Sequence, residues 1–260
     1  MAKLIGNLLS GSLGPYVFRI VNGKQVVSQK PGAGKVKQAP GSRLAADLFS
    51  TAAKLGSAVR TTLTPSSVGL MGFAATAITA RLCKAITASL DKQSGKFFFG
   101  EDSFAVLEGL EFNNQSKVSS FLPKLPVVSL NQKVLSVSVP KMDLGTKFKF
   151  PSNSIKCEMI FALSLFRLHD GYMVESAETR SVVVFKNDRV LHPFQLTFDV
   201  PAGCFCLVSL FLDYYTADKS GWVRLKDRKF SPGCFSGSVV TPGKYRDSDH
   251  RSWRKCIKFK

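Results

Sequence analysis

The sequence predicts an α+β fold that is mainly β: an N-terminal β-hairpin arm, a helical hairpin, and a C-terminal antiparallel β-sandwich of Ig-like or jelly-roll-like kind. Three observations carry this expectation. Asn22-Gly23 stands between two β-prone runs, apolar residues recur at helical spacing from Ser42 to Asp91, and beyond Pro126 short apolar runs alternate with turn signals.

The arm covers residues 1–42. Tyr16–Val21 and Lys24–Ser28 flank Asn22-Gly23, a dipeptide that accepts the positive φ angles of a type I′ hairpin turn. Two strands alone are marginal in water, so this hairpin should pair or pack with something. Gly6, Gly11 and Gly14 mark bends or close backbone approaches ahead of it. The loop from Pro31 to Pro40 contains Gly32-Ala-Gly-Lys35, which looks like a phosphate loop. However, Gln29 occupies the first glycine position and Val36 follows the lysine where Ser or Thr would bind magnesium. It reads as a basic linker.

A helical hairpin is expected over 43–92. Ser42 can cap a helix reaching Val59 or Arg60, with Ala45, Leu48, Ala52, Leu55 and Val59 as its apolar stripe. Thr62 to Pro65 breaks it, and Ser66 or Ser67 opens a second helix to about Asp91. Leu70, Ala74, Ile78, Leu82, Ile86 and Leu90 form its stripe, with Phe73 and Ala77 alongside. Thr61 to Ala80 carries no charge, but Pro65, Ser66, Ser67 and several threonines dilute it. Its densest part, Val68–Ala80, is too short for a membrane span and suits a buried helix, so no membrane insertion is expected.

A connector, 93–122, offers strands at Lys96–Gly100 and Phe104–Leu107. The sandwich, 123–240, follows with strands at Pro126–Leu130, Lys133–Val139, Thr146–Phe150, Cys157–Phe166, Thr179–Lys186, Phe194–Val200, Cys204–Tyr214, Trp222–Leu225 and Cys234–Val240. Leu135, Val137 and Val139 alternate with Ser136 and Ser138, so one face is apolar. Cys204–Tyr214 is apolar on both faces and belongs in the centre. In the tail, 241–260, Ile257–Lys260 alternates as a short edge strand.

Charge is the unusual quantity. Lys and Arg number 36 against 18 Asp and Glu, a net +18. Residues 1–60 hold nine bases and one acid, Asp47, for +8; residues 224–260 hold eleven bases and three acids, again +8, which leaves +2 for the middle. Two basic ends around a nearly neutral body point to polyanion or neighbour-chain contacts. The candidate polyanion contacts are Lys24, Lys30, Lys35, Lys37, Arg43, Arg246, Arg251, Arg254, Lys255, Lys258 and Lys260. Trp253 and Phe259, interleaved among these bases, either stack on nucleotides or anchor the tail.

Catalytic and metal signatures are missing from the sequence. Cys83, Cys157, Cys204, Cys206, Cys234 and Cys256 include no CxxC pair, and Cys204 and Cys206 would share one strand face; reduced, buried thiols are expected. His169, His192 and His250 lie at no ligand spacing, and there is no G-x-S-x-G elbow. Zinc-finger, RNP-like and KH signatures are also absent. No catalytic residue, no metal site and no cofactor is therefore expected, and the chain reads as a non-enzyme.

Gly11-Ser-Leu-Gly14, Val17–Val21, Gly23, Val26-Val27, Lys30-Pro31 and the helix from Arg43 to Phe49 resemble a group of uncharacterised Bacteroidota proteins. These share a Gly-rich start and a short hairpin leading to a basic, Pro-containing loop and a helix. The resemblance covers about the first fifty residues. Where that group carries an Asn-Pro-Lys-Thr-like element, Lys35-Val-Lys-Gln-Ala-Pro40 stands here. The resemblance implies a domain plan and no catalytic residue.

The function expected is a structural or assembly protein, of the kind found in phage or virus-like particles, filaments or ribonucleoproteins. Its basic ends would reach neighbouring subunits or RNA or DNA. The alternatives are a monomeric nucleic-acid- or ribosome-binding module, and a ligand-binding or enzymatic β-sandwich. The start of the chain reads as no signal peptide, and the expected location is the cytoplasm or a particle assembled there.

Overall fold

The computed structural model describes residues 2–32, 39–63, 71–145, 148–219, 221–225, 227–246 and 250–259. The fold is α+β and mainly β, and it divides into two compact units, Met1–Ala46 and Asp47–Lys260.

In the first unit the expected hairpin is half of a larger sheet. β1 (Lys3–Ile5), β2 (Leu8–Leu13), β3 (Tyr16–Val21) and β4 (Lys24–Gln29) form an antiparallel meander in chain order. Asn22 and Gly23 take φ angles of 50° and 75°, the left-handed pair that a type I′ turn needs. Gly6 and Gly14 turn the chain between the added strands. The β2–β3 ladder stops at the pair Gly11–Phe18. Beyond it the Gln25 carboxamide accepts from the Leu9 N–H at 2.7 Å and donates to the Leu9 carbonyl at 2.9 Å, standing in for the missing rungs.

Helix α1 (Pro40–Leu63) leads into the second unit, which among the described residues also holds α2 (Met71–Ala88), a single turn α3 (Val118–Phe121), and twelve strands. These are β5 (Val127–Asn131), β6 (Val134–Val139), β7 (Met142–Asp143), β8 (Lys156–Arg167), β9 (Tyr172–Val174), β10 (Glu178–Phe185), β11 (Val190–Leu191), β12 (Phe194–Asp199), β13 (Phe205–Asp218), β14 (Gly221–Arg224), β15 (Gly233–Val240) and β16 (Trp253–Lys255). A seven-stranded antiparallel sheet runs β14-β13-β8-β9-β16, with β10 also paired to β8 and β15 to β13. A three-stranded sheet runs β12-β6-β5, and β7 pairs β11.

The two-faced strand is central, as its sequence demands. Phe205, Leu207 and Phe211 of β13 join Ala162 and Phe166 of β8 in one core with Leu55, Val59, Ile78, Leu82 and Ile86 of the helices. On the opposite face Cys206, Val208, Leu210 and Leu212 join Met159, Phe161, Leu163 and Leu165 against Leu135, Val137, Val139 and Phe198 of the smaller sheet. The two sheets therefore make the expected sandwich, but the helices form a third layer over its outer face. The helical hairpin is not a separate domain: its apolar stripe has no core of its own and is buried by the sheet.

Local differences follow from the same packing. Lys96–Gly100 contributes only a single bridge, Leu90–Phe97, and Ala105–Leu107 is a 3₁₀ turn rather than a strand. Phe97 and Phe99 pack against the core while Phe98 is exposed, and Phe104 is fully buried with its ring 4.0 Å from that of Phe205. Of Thr146–Phe150, residues 148–150 are not in a strand and 146–147 lie outside the described residues, as do Ser66, Ser67 and Leu70. The tail strand is Trp253–Lys255, which pairs with the three residues of β9; of the expected Ile257–Lys260, residues 257–259 are not in a strand and Lys260 lies outside the described residues. Cys256 then donates its N–H to the Gly171 carbonyl at 2.8 Å, and Phe259 to that of Leu168 at 2.8 Å.

Candidate functional site

The register of the N-terminal sheet confines its charged side chains to one face. Leu4, Leu9, Leu13, Tyr16, Phe18, Ile20 and Val27 share one face with Gly11, Gln25 and Gln29, and no charge lies among them. Lys3, Arg19 and Lys24 lie on the other face, together with Ile5, Leu8, Val17, Val21 and Val26. None of the described residues of β1–β4 is buried; Leu4 is 70%, Leu13 57% and Val27 51% exposed. Lys30, just past β4, and Arg43, in the first turn of α1, are exposed. Lys35 and Lys37 lie outside the described residues.

The C-terminal candidates are not a free tail. Arg251 pairs with Glu178 at 3.1 Å and donates to the Asp199 carbonyl at 2.6 Å. Trp253 is half-buried, with its ring 5.4 Å from that of Tyr245 and the Arg167 guanidinium 5.3 Å away. Phe259 is buried and meets Phe97 and Phe99 edge-on at 5.1 Å each, so both aromatic residues sit among protein rings in the tail's anchorage. Arg246, Lys255 and Lys258 are exposed, and Lys260 lies outside the described residues.

Arg254 stands apart from these. Its Nε and Nη2 are buried and have no hydrogen-bond partner among the described residues. It lines a shallow cleft of about 610 Å³ with Lys54, Ser57, Ala58 and Thr61 of α1, Met173 of β9, Lys255, Cys256 and Ile257. Thus the fold brings Arg254 and Lys255 to Lys54, Ser57 and Thr61, three residues that sequence reading missed. Their spacing along α1 places them on one polar stripe beside the buried one. That stripe was legible; which strand end it faces was not.

Elsewhere, burial shifts several titratable groups. Burial pushes the Cys157 and Cys206 thiols well above the ordinary value, with the Asp213 carboxylate adding to the effect on Cys157. The Asp213 carboxyl is also raised, because its burial outweighs the Arg224 guanidinium 2.6 Å away. Burial and a hydrogen bond to Glu158 push Tyr215 up to about 12. Among the described residues no group of three His, Cys, Asp or Glu could hold a metal ion, and no helix is long and apolar enough to cross a membrane. No family model, curated protein or solved structure matches the chain.

Proposed function

We propose that this chain is a non-enzymatic assembly subunit that self-associates through the apolar face of its N-terminal sheet. The observation that carries the reading is a four-stranded sheet with seven apolar side chains on one face and no buried residue. Such a face costs free energy in water unless it is covered, and exposed contiguous apolar surface marks interaction sites. A second copy suits it as partner. The face carries no charge, so two strongly basic chains can meet there without bringing cations together. Lys3, Arg19 and Lys24, set among Ile5, Val17, Val21 and Val26, remain on the opposite face for neighbouring subunits or a polyanion.

Light scattering of the purified full chain, after nuclease treatment, tests this. A defined oligomer is expected, and Leu4→Lys combined with Val27→Lys should convert it to monomer with an unchanged circular dichroism spectrum. Both residues are more than half exposed, so the folded protomer tolerates the change. A wild-type protein that is monomeric at all concentrations overturns the reading.

A further inference from the structure

We infer that the cleft between α1 and the end of β16 binds the phosphate group of a small phosphorylated organic molecule, with Arg254 and Lys54 as its cationic contacts. This site lies wholly within the second unit and stands independently of self-association through the first.

Three features converge. The first is the state of Arg254. A guanidinium carries five N–H donors and a permanent charge, and burying its N–H groups without partners is unfavourable. In the folded chain Nε and Nη2 are buried without a partner, and Arg254 takes part in none of the ion pairs formed among the described residues. The neighbouring arginines behave differently: Arg251 is held by Glu178 and Asp199, and Arg167 by Asp170 at 2.9 Å. A side chain left unpaired beside a cleft is placed for a ligand. Its guanidinium can also rotate toward that ligand without breaking a bond at either nitrogen.

The second feature is charge. Lys54, Arg254 and Lys255 line the cleft and no acidic residue does, while Ser57 and Thr61 bring hydroxyl groups. The Thr61 hydroxyl donates back to the Ser57 carbonyl at 2.8 Å, which leaves its oxygen available only as an acceptor. Ser57 is exposed and can donate to a ligand oxygen. Guanidinium and ammonium donors around one anion form charge-assisted hydrogen bonds, and more than one positive charge favours a phosphate over a carboxylate.

The third feature is size and wall chemistry. The shallow cleft, about 610 Å³, has room for more than a bare oxyanion. Ala58, Met173 and Ile257 give the cleft an apolar wall for the organic part. A nucleic-acid backbone would call for a track of cations rather than one bounded cluster, so a small phosphomonoester fits better.

Calorimetric titration and thermal shift of the full chain, with adenosine monophosphate, glucose phosphate, unmodified adenosine and inorganic phosphate as probes, test the inference. At least one phosphomonoester should bind and raise the melting temperature, inorganic phosphate should bind more weakly, and adenosine should not bind. Arg254→Met should lose binding by about tenfold or more, the loss of one charged contact. Its melting temperature without ligand should equal or exceed the wild type's, because the variant removes two buried N–H groups that have no partner. Lys54→Glu, an exposed helix position, should abolish binding with the fold intact and keeps the test decisive if Arg254→Met is poorly soluble. Failure of both phosphomonoesters to bind, equal binding of adenosine, or affinity unchanged in both variants overturns the site. So does binding confined to a short single-stranded oligonucleotide, titrated as a further probe alongside these four.

Discussion

Thr62 Oγ1 lies 2.8 Å from Ser164 Oγ, joining the last turn of α1 to the middle of β8 across 102 residues, with both side chains buried. Thr62 also donates to the Val59 carbonyl at 2.9 Å, so its single proton is committed and Ser164 is the donor between the two hydroxyls. The pair is asymmetric, and its substitutions should be too. Thr62→Val strands the Ser164 proton in the core and should cost about 2 kcal/mol, whereas Ser164→Ala leaves the Thr62 proton bonded and should cost about 1 kcal/mol. The double variant should lose less than the sum, as urea denaturation of all four proteins would reveal. Strict additivity would mean that the two hydroxyls do not interact.

Gly237 is fixed by space. A Cβ there would sit 2.5 Å from the Val128 Cβ, at the contact of β15 with β5. Gly237→Ala should therefore destabilise by about 2 kcal/mol through overpacking, and adding Val128→Ala should recover part of it. Thermal denaturation checks both, and a neutral Gly237→Ala would show that the two sheets separate easily.

Thiol reactivity should divide the six cysteines. Cys157, Cys204, Cys206 and Cys234 are buried, while Cys83 and Cys256 are partly accessible. Native protein should react at two thiols with an aromatic disulfide reagent and at all six after denaturation. Cys256 should be the slower of the two, because burial raises its thiol above the ordinary value and thiolate is the reacting form. Mass spectrometry of the labelled peptides identifies them.

Asp213 gives a pH dependence of definite sign. Its carboxyl is raised in the folded chain, so the native state holds that proton more tightly than the unfolded state does. Stability relative to Asp213→Asn should be greatest below the ordinary carboxylate range. It should fall as pH rises through the raised value, then stay level. Denaturation midpoints of both proteins across the acid-to-neutral range measure this; a wild-type advantage that grows with pH would place Arg224 ahead of burial as the dominant influence.

Much of the second unit was legible because local sequence and final environment agree. Leu135, Val137 and Val139 alternate with serines and are buried on one side of β6. The doubly apolar Cys204–Tyr214 run became the strand with cores on both faces. Lys96–Gly100 misled because a run of phenylalanines is β-prone wherever it occurs, and only the finished core shows the Phe97 and Phe99 rings packed against it. Arg254 was marked for its charge alone, as one base among several. Its lack of a partner and its place beside Lys54 depend on elements 200 residues apart in number coming together.

By itself, then, the sequence determined what short-range physics decides. The Asn22-Gly23 turn, the helical stripes, the alternation of the strands and the two basic ends all follow from residues close together in the chain. Only the tertiary structure decided which surfaces those elements cover. It laid the helices over the sheet as a third layer, held Arg251 and Phe259 within the fold, and left Arg254 unpaired beside a cleft. The physical reason is that burial and pairing are properties of neighbours in space, and residues far apart in the chain become neighbours only when the sheets and helices pack.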